Sequence, residues 1–255
     1  MTPIADILSQ ADLVENGFRT TVPADWMQGR TAYGGLTTAL ALHAAQRIEA
    51  DLPPLRSAQV AFVGPLAGAV TITAQRLRRG RNATYIDTEV RSEAGLGLRA
   101  TFLFMAPLPS AVTHDAMSRA ERHPPEPNVK TYIGPDEFFT GNFEFHDVKV
   151  PGAAEWLRWA RLRGRDGLDP AVELLAIADG LPPAAFKLFD KQVPLSSLTW
   201  HVNLLTTDLS TQDGWWLLQA ATDRAVDGFS SQRMRIWNAA GAPVVDAMQS
   251  VAIFA

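Results

Sequence analysis

There is no cysteine among the 255 residues. Disulfides, thiolate metal sites and a cysteine nucleophile are therefore excluded. An excess of basic charge is lacking as well: charged residues make up an ordinary 20% and the formal net charge is -4. That leaves no basic face to release counterions from a nucleic acid. No apolar run approaches the ~20 residues that cross a bilayer. The N-terminus lacks the basic start and apolar stretch of a secretory signal. These absences point to the cytoplasm, with neither nucleic acid nor membrane as a partner. The five histidines are scattered without ligand spacing, so no metal is expected, and no glycine loop of the phosphate-cradling kind is present.

What is present is one unit that occurs twice. Residues Gly34 to Ala50 read as a helix that is apolar nearly all round, broken before Gln46 only by Thr37, Thr38 and His43. Such a helix belongs inside a protein. Alternating strands follow it. Val70, Ile72 and Ala74 share one face, as do Thr84, Ile86, Thr88 and Val90, and Leu96, Leu98, Ala100, Phe102 and Phe104. After a proline-rich stretch, Asp169 and Pro170 supply an N-cap and a first helical residue, and Gly180 and Pro182 stop the helix. Strand candidates at 197–205, 215–222, 229–237 and 243–254 close the chain. Ser57 and Ser197 begin the two strand series, 140 residues apart by number.

A buried helix enclosed by antiparallel sheet, present twice, is the hotdog arrangement. The expected class is α+β: a double hotdog, with two antiparallel sheets each wrapped around a long apolar helix. The expected division is an N-terminal unit over 1–106, a linker over 107–130 carrying Pro107, Pro109, Pro124, Pro125 and Pro127, and a C-terminal unit over 131–255. A nucleotide-binding α/β sheet is excluded, because strands do not alternate with helices after Ala50.

Several residues stand out from their surroundings. Gly34 and Gly35 open the buried helix, where unpaired amides and the positive dipole end would stabilise a developing oxyanion. A plain tight turn into the helix is the simpler reading of the two glycines. Asp179 lies in the last turn of the second helix, on the stripe of Val172, Leu175 and Ala176, facing the unfavourable dipole end. It reads either as a solvated turn residue or as a general base. Gln249 shares a strand face with Val245, Ala247, Val251 and Ile253. It is either a core amide bonded to backbone or an amide that positions water. Ser197 is placed on a face with Thr199, His201 and Asn203, and reads as an exposed strand serine. A Ser197–His201 pair is excluded, because four strand residues span ~13 Å. Arg76, Arg78, Arg79 and Arg81 surround Gly80, either as solvated surface or as a grip on phosphates.

The chain resembles the acyl-CoA thioesterase II-type double-hotdog family along nearly its whole length. The resemblance rests on Ala32-Tyr33-Gly34-Gly35, on the run from Gln75 to Asn82, on Phe143 to His146, on Ala176 to Asp179, on Ser196-Ser197-Leu198 and on Met248-Gln249-Ser250. It implies an acyl-CoA substrate and hydrolysis of the thioester without a cofactor. It implies that Asp179 activates a water that Ser197 and Gln249 position, with Gly34 and Gly35 beside the carbonyl oxygen and Arg78, Arg79 and Arg81 at the coenzyme A tail. Family members more often carry threonine at the serine position, and Thr199-Trp200-His201 depart from the usual pattern after it. The competing readings are a non-catalytic acyl-CoA or polyketide binding module and a hotdog hydratase or dehydratase, which needs a histidine paired with the acid. Seven tryptophans are many for two small cores, and a homodimer or higher oligomer is expected to cover some of them.

Overall fold

The computed structural model describes residues 1–191 and 193–254. The first half contains α1 (Ile4–Ser9), β1 (Asp12–Val14), β2 (Gly17–Thr21), β3 (Met27–Gln28), β4 (Thr31–Ala32), α2 (Gly34–Gln46), β5 (Leu55–Phe62), β6 (Ala69–Arg79), β7 (Ala83–Ser92) and β8 (Gly95–Met105). The second contains β9 (Phe143–Asp147), β10 (Glu155–Leu162), α3 (Pro170–Ala178), β11 (Leu195–Leu204), β12 (Trp216–Val226), β13 (Phe229–Asn238) and β14 (Pro243–Ile253). The strands are where the period-two patterns place them, and Asn16 takes a positive φ in the turn between β1 and β2. The sequence reading passed over α1 and β10.

The main sheet differs from the expectation of two sheets. It is one sheet of twelve strands in the order β1-β2-β6-β7-β8-β5-β11-β14-β13-β12-β10-β9. The order is a palindrome about β5 and β11, which pair antiparallel from Thr199 opposite Ala61 to Asn203 opposite Ser57. Each half would otherwise leave the unpaired amides and carbonyls of an edge strand exposed. Joining the two edges satisfies both and fuses the units. The word "long" also holds for only one helix, since α2 has 13 residues and α3 has 9.

Both helices lie on the inner face of this sheet. Leu36, Leu40 and Ala45 of α2 and Leu174, Leu175 and Ile177 of α3 are fully buried, together with Ile72, Ile86, Leu98 and Phe102 from the strands. Asp169 caps α3 as its sequence suggests, accepting hydrogen bonds from the Ala171 and Val172 amides at 2.9 and 3.2 Å.

Two bulges decide which side chains face the helices. The register of β5 against β8 shifts between Leu55 and Ser57, and that of β11 against β14 shifts between Ser197 and Thr199. An extra residue at a bulge turns the strand over. Leu55 is therefore the structural counterpart of Ser197, and Ser57 that of Thr199, correcting the serine-to-serine alignment of the sequence reading. The face assigned to Ser197 changes too. It lies with Trp200, Val202 and Leu204 on the inner side, while Thr199, His201 and Asn203 face outward.

The tryptophans do not call for an oligomer. Trp26, Trp159, Trp200 and Trp216 are fully buried within the single chain. Trp159, Trp215 and Trp237 cluster with Leu217 apart from the main core, and Ala120 packs on them. The proline-rich stretch 107–130 has no helix or strand, and it supplies this cover. Trp237 Nε1 donates to the Ser118 carbonyl at 2.8 Å, and the Ala120 amide donates to that of Gly241 at 3.0 Å. Among the described residues no helix is long and apolar enough to cross a membrane.

Candidate active site

The two helices run antiparallel, and each end of the pair forms a junction. At one end the C-terminus of α3 meets the N-terminus of α2. At the other, Gln46 Nε2 at the end of α2 donates to Asp169 Oδ1 at the start of α3, at 3.0 Å. Asp179 is the C-cap of α3, so its own helix presents carbonyl groups and a negative dipole end to it. The crossing explains why a carboxylate is tolerated there: the neighbouring group is the amide-rich start of α2. The N-cap of α2, Tyr33, offers no side-chain cap, so the first-turn amides stay open to other partners.

Gly34 and Gly35 are required by close approach. A Cβ on Gly34 would stand 2.6 Å from Asp179 Oδ2 and 2.9 Å from the Phe62 ring. A Cβ on Gly35 would stand 2.5 Å from the Ala176 carbonyl oxygen and 2.6 Å from the Tyr33 ring. Tyr33 holds the junction together, donating its hydroxyl to the Ala176 carbonyl at 2.8 Å while its ring stacks on Phe139 with centroids 4.2 Å apart. Burial, aided by the charge of Asp179, pushes the Tyr33 hydroxyl well above its ordinary pKa, so it remains a donor.

Gln249 reaches this junction from β14. Its Nε2 donates to Asp179 Oδ1 at 2.9 Å, across 70 residues of sequence. Burial raises the Asp179 carboxyl from 3.8 to about 7, while the Gln249 amide and the backbone N–H of Gly35 pull the other way by favouring the ionised form. The carboxylate thus has the basicity of a proton acceptor at neutral pH. The residue as a whole is partly exposed, and Oδ2 is the carboxylate oxygen beside Gly34.

Ser197 is brought to the same face but not into the hydrogen-bonded pair. It stands opposite Val251, two residues along β14 from Gln249. Diagonal neighbours of this kind have Cβ atoms about 7–8 Å apart. Among the described residues its hydroxyl has no hydrogen bond to Asp179 or Gln249.

The arginines lie near the other end of α2. Arg76 and Arg79 both bind the carboxylate of Glu49, and Arg79 also donates to the Asp51 carbonyl at 3.2 Å. Glu49 and Asp51 follow the C-terminus of α2, roughly 20 Å of helix away from Gly34. Arg78 and Arg81 are exposed near the same turn.

Three contributors escaped the sequence reading. Tyr33 braces the junction, Phe62 flanks Gly34, and Gln232 on β13 lies directly opposite Gln249. Gln232 carried the same signal that marked Gln249. It is an amide on a stripe with Met234 and Ile236, both buried.

The fold defines the class: a double-hotdog protein whose helix ends and central strands meet at a polar junction. The sequence matches the model of the acyl-CoA thioesterase N-terminal domain over residues 22–105 and that of the acyl-CoA thioesterase C-terminal domain over 109–253. The chain belongs to the acyl-CoA thioesterase family. No curated protein matches it in sequence. Among solved structures it is similar to a conserved hot dog fold protein of unknown function from Alicyclobacillus acidocaldarius. That match has a TM-score of 0.86 at 20% identity, covering 100% of this chain and 99% of the other. It is similar to a TesB protein from Mycobacterium avium subsp. paratuberculosis, with a TM-score of 0.77 at 19% identity over 99% of both chains. It is also similar to an acyl-CoA thioesterase II from Mycobacterium marinum, with a TM-score of 0.72 at 17% identity, covering 98% and 96%. At such identities the likeness establishes the fold.

Proposed function

We propose that this protein hydrolyses an acyl-CoA thioester to the free acid and coenzyme A, using a water activated by Asp179. The observation that carries the reading is the Gln249–Asp179 hydrogen bond at the open N-terminus of α2, with Asp179 Oδ2 beside Gly34. A carboxyl raised to about 7 takes a proton from water as the oxygen attacks the thioester carbon. Gln249 holds the carboxylate, and Ser197 holds the water from the adjacent strand. The carbonyl oxygen lies against the first turn of α2 at Gly34 and Gly35, the Gly35 amide being shared with Asp179. Charge developing there meets N–H groups and the positive helix end. Collapse of the tetrahedral intermediate breaks the carbon–sulfur bond. The thiolate leaves and takes up the proton held by Asp179. No metal or cofactor enters any step.

The arginines at 78, 79 and 81 have a small part in this reading, since Arg79 is committed to Glu49 and the cluster adjoins the far end of α2. The test is thiol release from a panel of acyl-CoA thioesters by the wild-type chain and Asp179→Asn. Hydrolysis by the wild type and a loss of about 10²-fold or more in the variant support the reading. Equal rates in a folded variant overturn the role of Asp179. Acyl-CoA binding without thiol release by the wild type would make the protein a binding module.

A further inference from the structure

The geometry points to Gln232 as a positioning residue that sets which end of the Gln249 side-chain amide faces Asp179. This rests on the reading of Asp179 as the base. The side chains of Gln232 and Gln249 are both almost fully buried. They form a directed chain. The Ala184 backbone amide donates to Gln232 Oε1 at 2.8 Å, Gln232 Nε2 donates to Gln249 Oε1 at 2.6 Å, and Gln249 Nε2 donates to Asp179 Oδ1 at 2.9 Å.

The direction of the chain has a physical origin. A glutamine amide has a donor end and an acceptor end, and rotation by half a turn exchanges them. A backbone N–H can only donate. The Ala184 amide therefore donates to the oxygen end of Gln232, which leaves the Gln232 nitrogen pointing at Gln249. That nitrogen in turn donates to the oxygen end of Gln249, and the Gln249 nitrogen is left to donate to Asp179. Without Gln232, the Gln249 oxygen could rotate toward the carboxylate, replacing a charge-assisted hydrogen bond with repulsion. Ala184 begins the 3-10 turn Ala184–Leu188, which packs against β12 and β10. The orientation of the Gln249 side chain is thus set from a backbone amide two hydrogen bonds away.

The inverse position in the first half shows that the fold itself does not need this amide pair. The cross-strand neighbours that correspond to Gln249 and Gln232 are Phe102 and Ile86, both fully buried. A hydrophobic pair fills the same place in the sheet, so the polar pair has a task beyond packing.

The test uses Gln232→Glu and Gln232→Leu in the full chain. An ionised Glu at 232 accepts from Gln249 and turns its oxygen toward Asp179. Leu removes the donor and keeps the volume close. Both changes weaken the hydrogen bond that favours the ionised carboxylate, so the acid limb of the kcat/KM profile should move to higher pH by about one unit. The kcat should fall by about tenfold at neutral pH with KM little changed. The titrating group facing Asp179 from α2 is Tyr33, which stays protonated over this range. Phe62, Ser197 and Gln249, which approach from β5, β11 and β14, carry no charge. The Asp179 carboxyl titration followed by carbon NMR reads the same shift in the resting protein, without turnover. A purely structural Gln232 would lower the melting temperature and leave both titrations in place. That result, in either variant that folds, overturns the inference. If Asp179→Asn is inactive while the Gln232 titrations do not move, only this inference fails. If Asp179→Asn keeps full activity, the function proposed above fails instead.

Discussion

At one end of the helix pair, Asp179 faces two glycines whose helix start is uncapped. At the other end, Asp169 spends its carboxylate on the Ala171 and Val172 amides of its own helix and on Gln46. The palindromic sheet makes these ends equivalent in position, and the strands beneath them differ in the same sense. Ser197, Gln249 and Gln232 line the inner face in the second half, where Leu55, Phe102 and Ile86 stand in the first. Duplication of a fold therefore supplies two junctions of similar shape, and the polarity of a few side chains decides which can do chemistry. The closed junction satisfies its own polar groups and packs the rest with hydrocarbon. The open junction leaves a raised-pKa carboxyl beside first-turn amides that no side-chain cap covers. It costs stability to keep it so, since a buried carboxylate is unfavourable when ionised.

The comparison breaks most sharply at the two aspartates. Asp179→Asn should lower turnover by about 10²-fold or more, whereas Asp169→Ala should leave turnover within about twofold and remove ~1 kcal/mol of stability through the lost cap. Parallel thioesterase assays and denaturant melts decide between them. If Asp169→Ala abolishes activity in a folded protein, the ends are not divided as described.

Placing the amide pair in the wrong half is the second test. Phe102→Gln with Ile86→Gln has no backbone anchor and no carboxylate to meet, so it should destabilise the chain by at least ~2 kcal/mol without adding activity. An unchanged melt would show that the first-half core tolerates what is here taken as specific to the second.

The raised carboxyl gives a signed pH dependence. The folded pKa of Asp179, about 7, lies above its ordinary 3.8, so the native state binds the proton more tightly than the unfolded chain. Its stabilising effect is present at low pH and is lost as pH rises from about 4 to about 7. Asp179→Asn should therefore be more stable than the wild type at pH 8, by about 2 kcal/mol after allowing for partial exposure, and equal to it near pH 3. Thermal melts at the two pH values check this. The wild-type kcat/KM should in turn fall as pH drops below about 7. Among these changes the smallest effect is expected for Ser197→Ala. It touches the water and not the carboxylate, and should lower kcat by about tenfold or less, read by steady-state kinetics.

Much of the architecture was legible because burial leaves a period in the sequence. Alternation in β6, β7 and β8 identified their inner faces, except that a register shift at Gly97 turns Leu96 to the outer face, and Asp169-Pro170 marked the start of α3 through local capping chemistry. Asp179 and Gln249 stood out as polar groups on apolar stripes, and they do meet. Gln232 obeys the same rule, but with Met234, Ile236 and Trp237 beside it the strand reads as apolar core. The face of Ser197 was misread because a bulge at Leu198 inverts the strand, and a bulge leaves no periodic trace short enough to see. The tryptophans suggested an interface because nothing local shows that a proline-rich segment folds back over three of them.

What the sequence determined by itself was everything set by neighbours a few residues apart: where helices start and stop, which strand positions are apolar, and that a unit occurs twice. What only the tertiary structure decided was the meeting of distant parts. The pairing of β5 with β11 made two sheets one, and the antiparallel crossing of α2 and α3 put a carboxylate from one helix end against the glycines of another. Gln249 and Asp179 are 70 residues apart in the chain and 2.9 Å apart in space. Local preference acts along the backbone and can be read there. The environment that raises the Asp179 pKa is a sum over groups from both halves, and it exists only once they have packed.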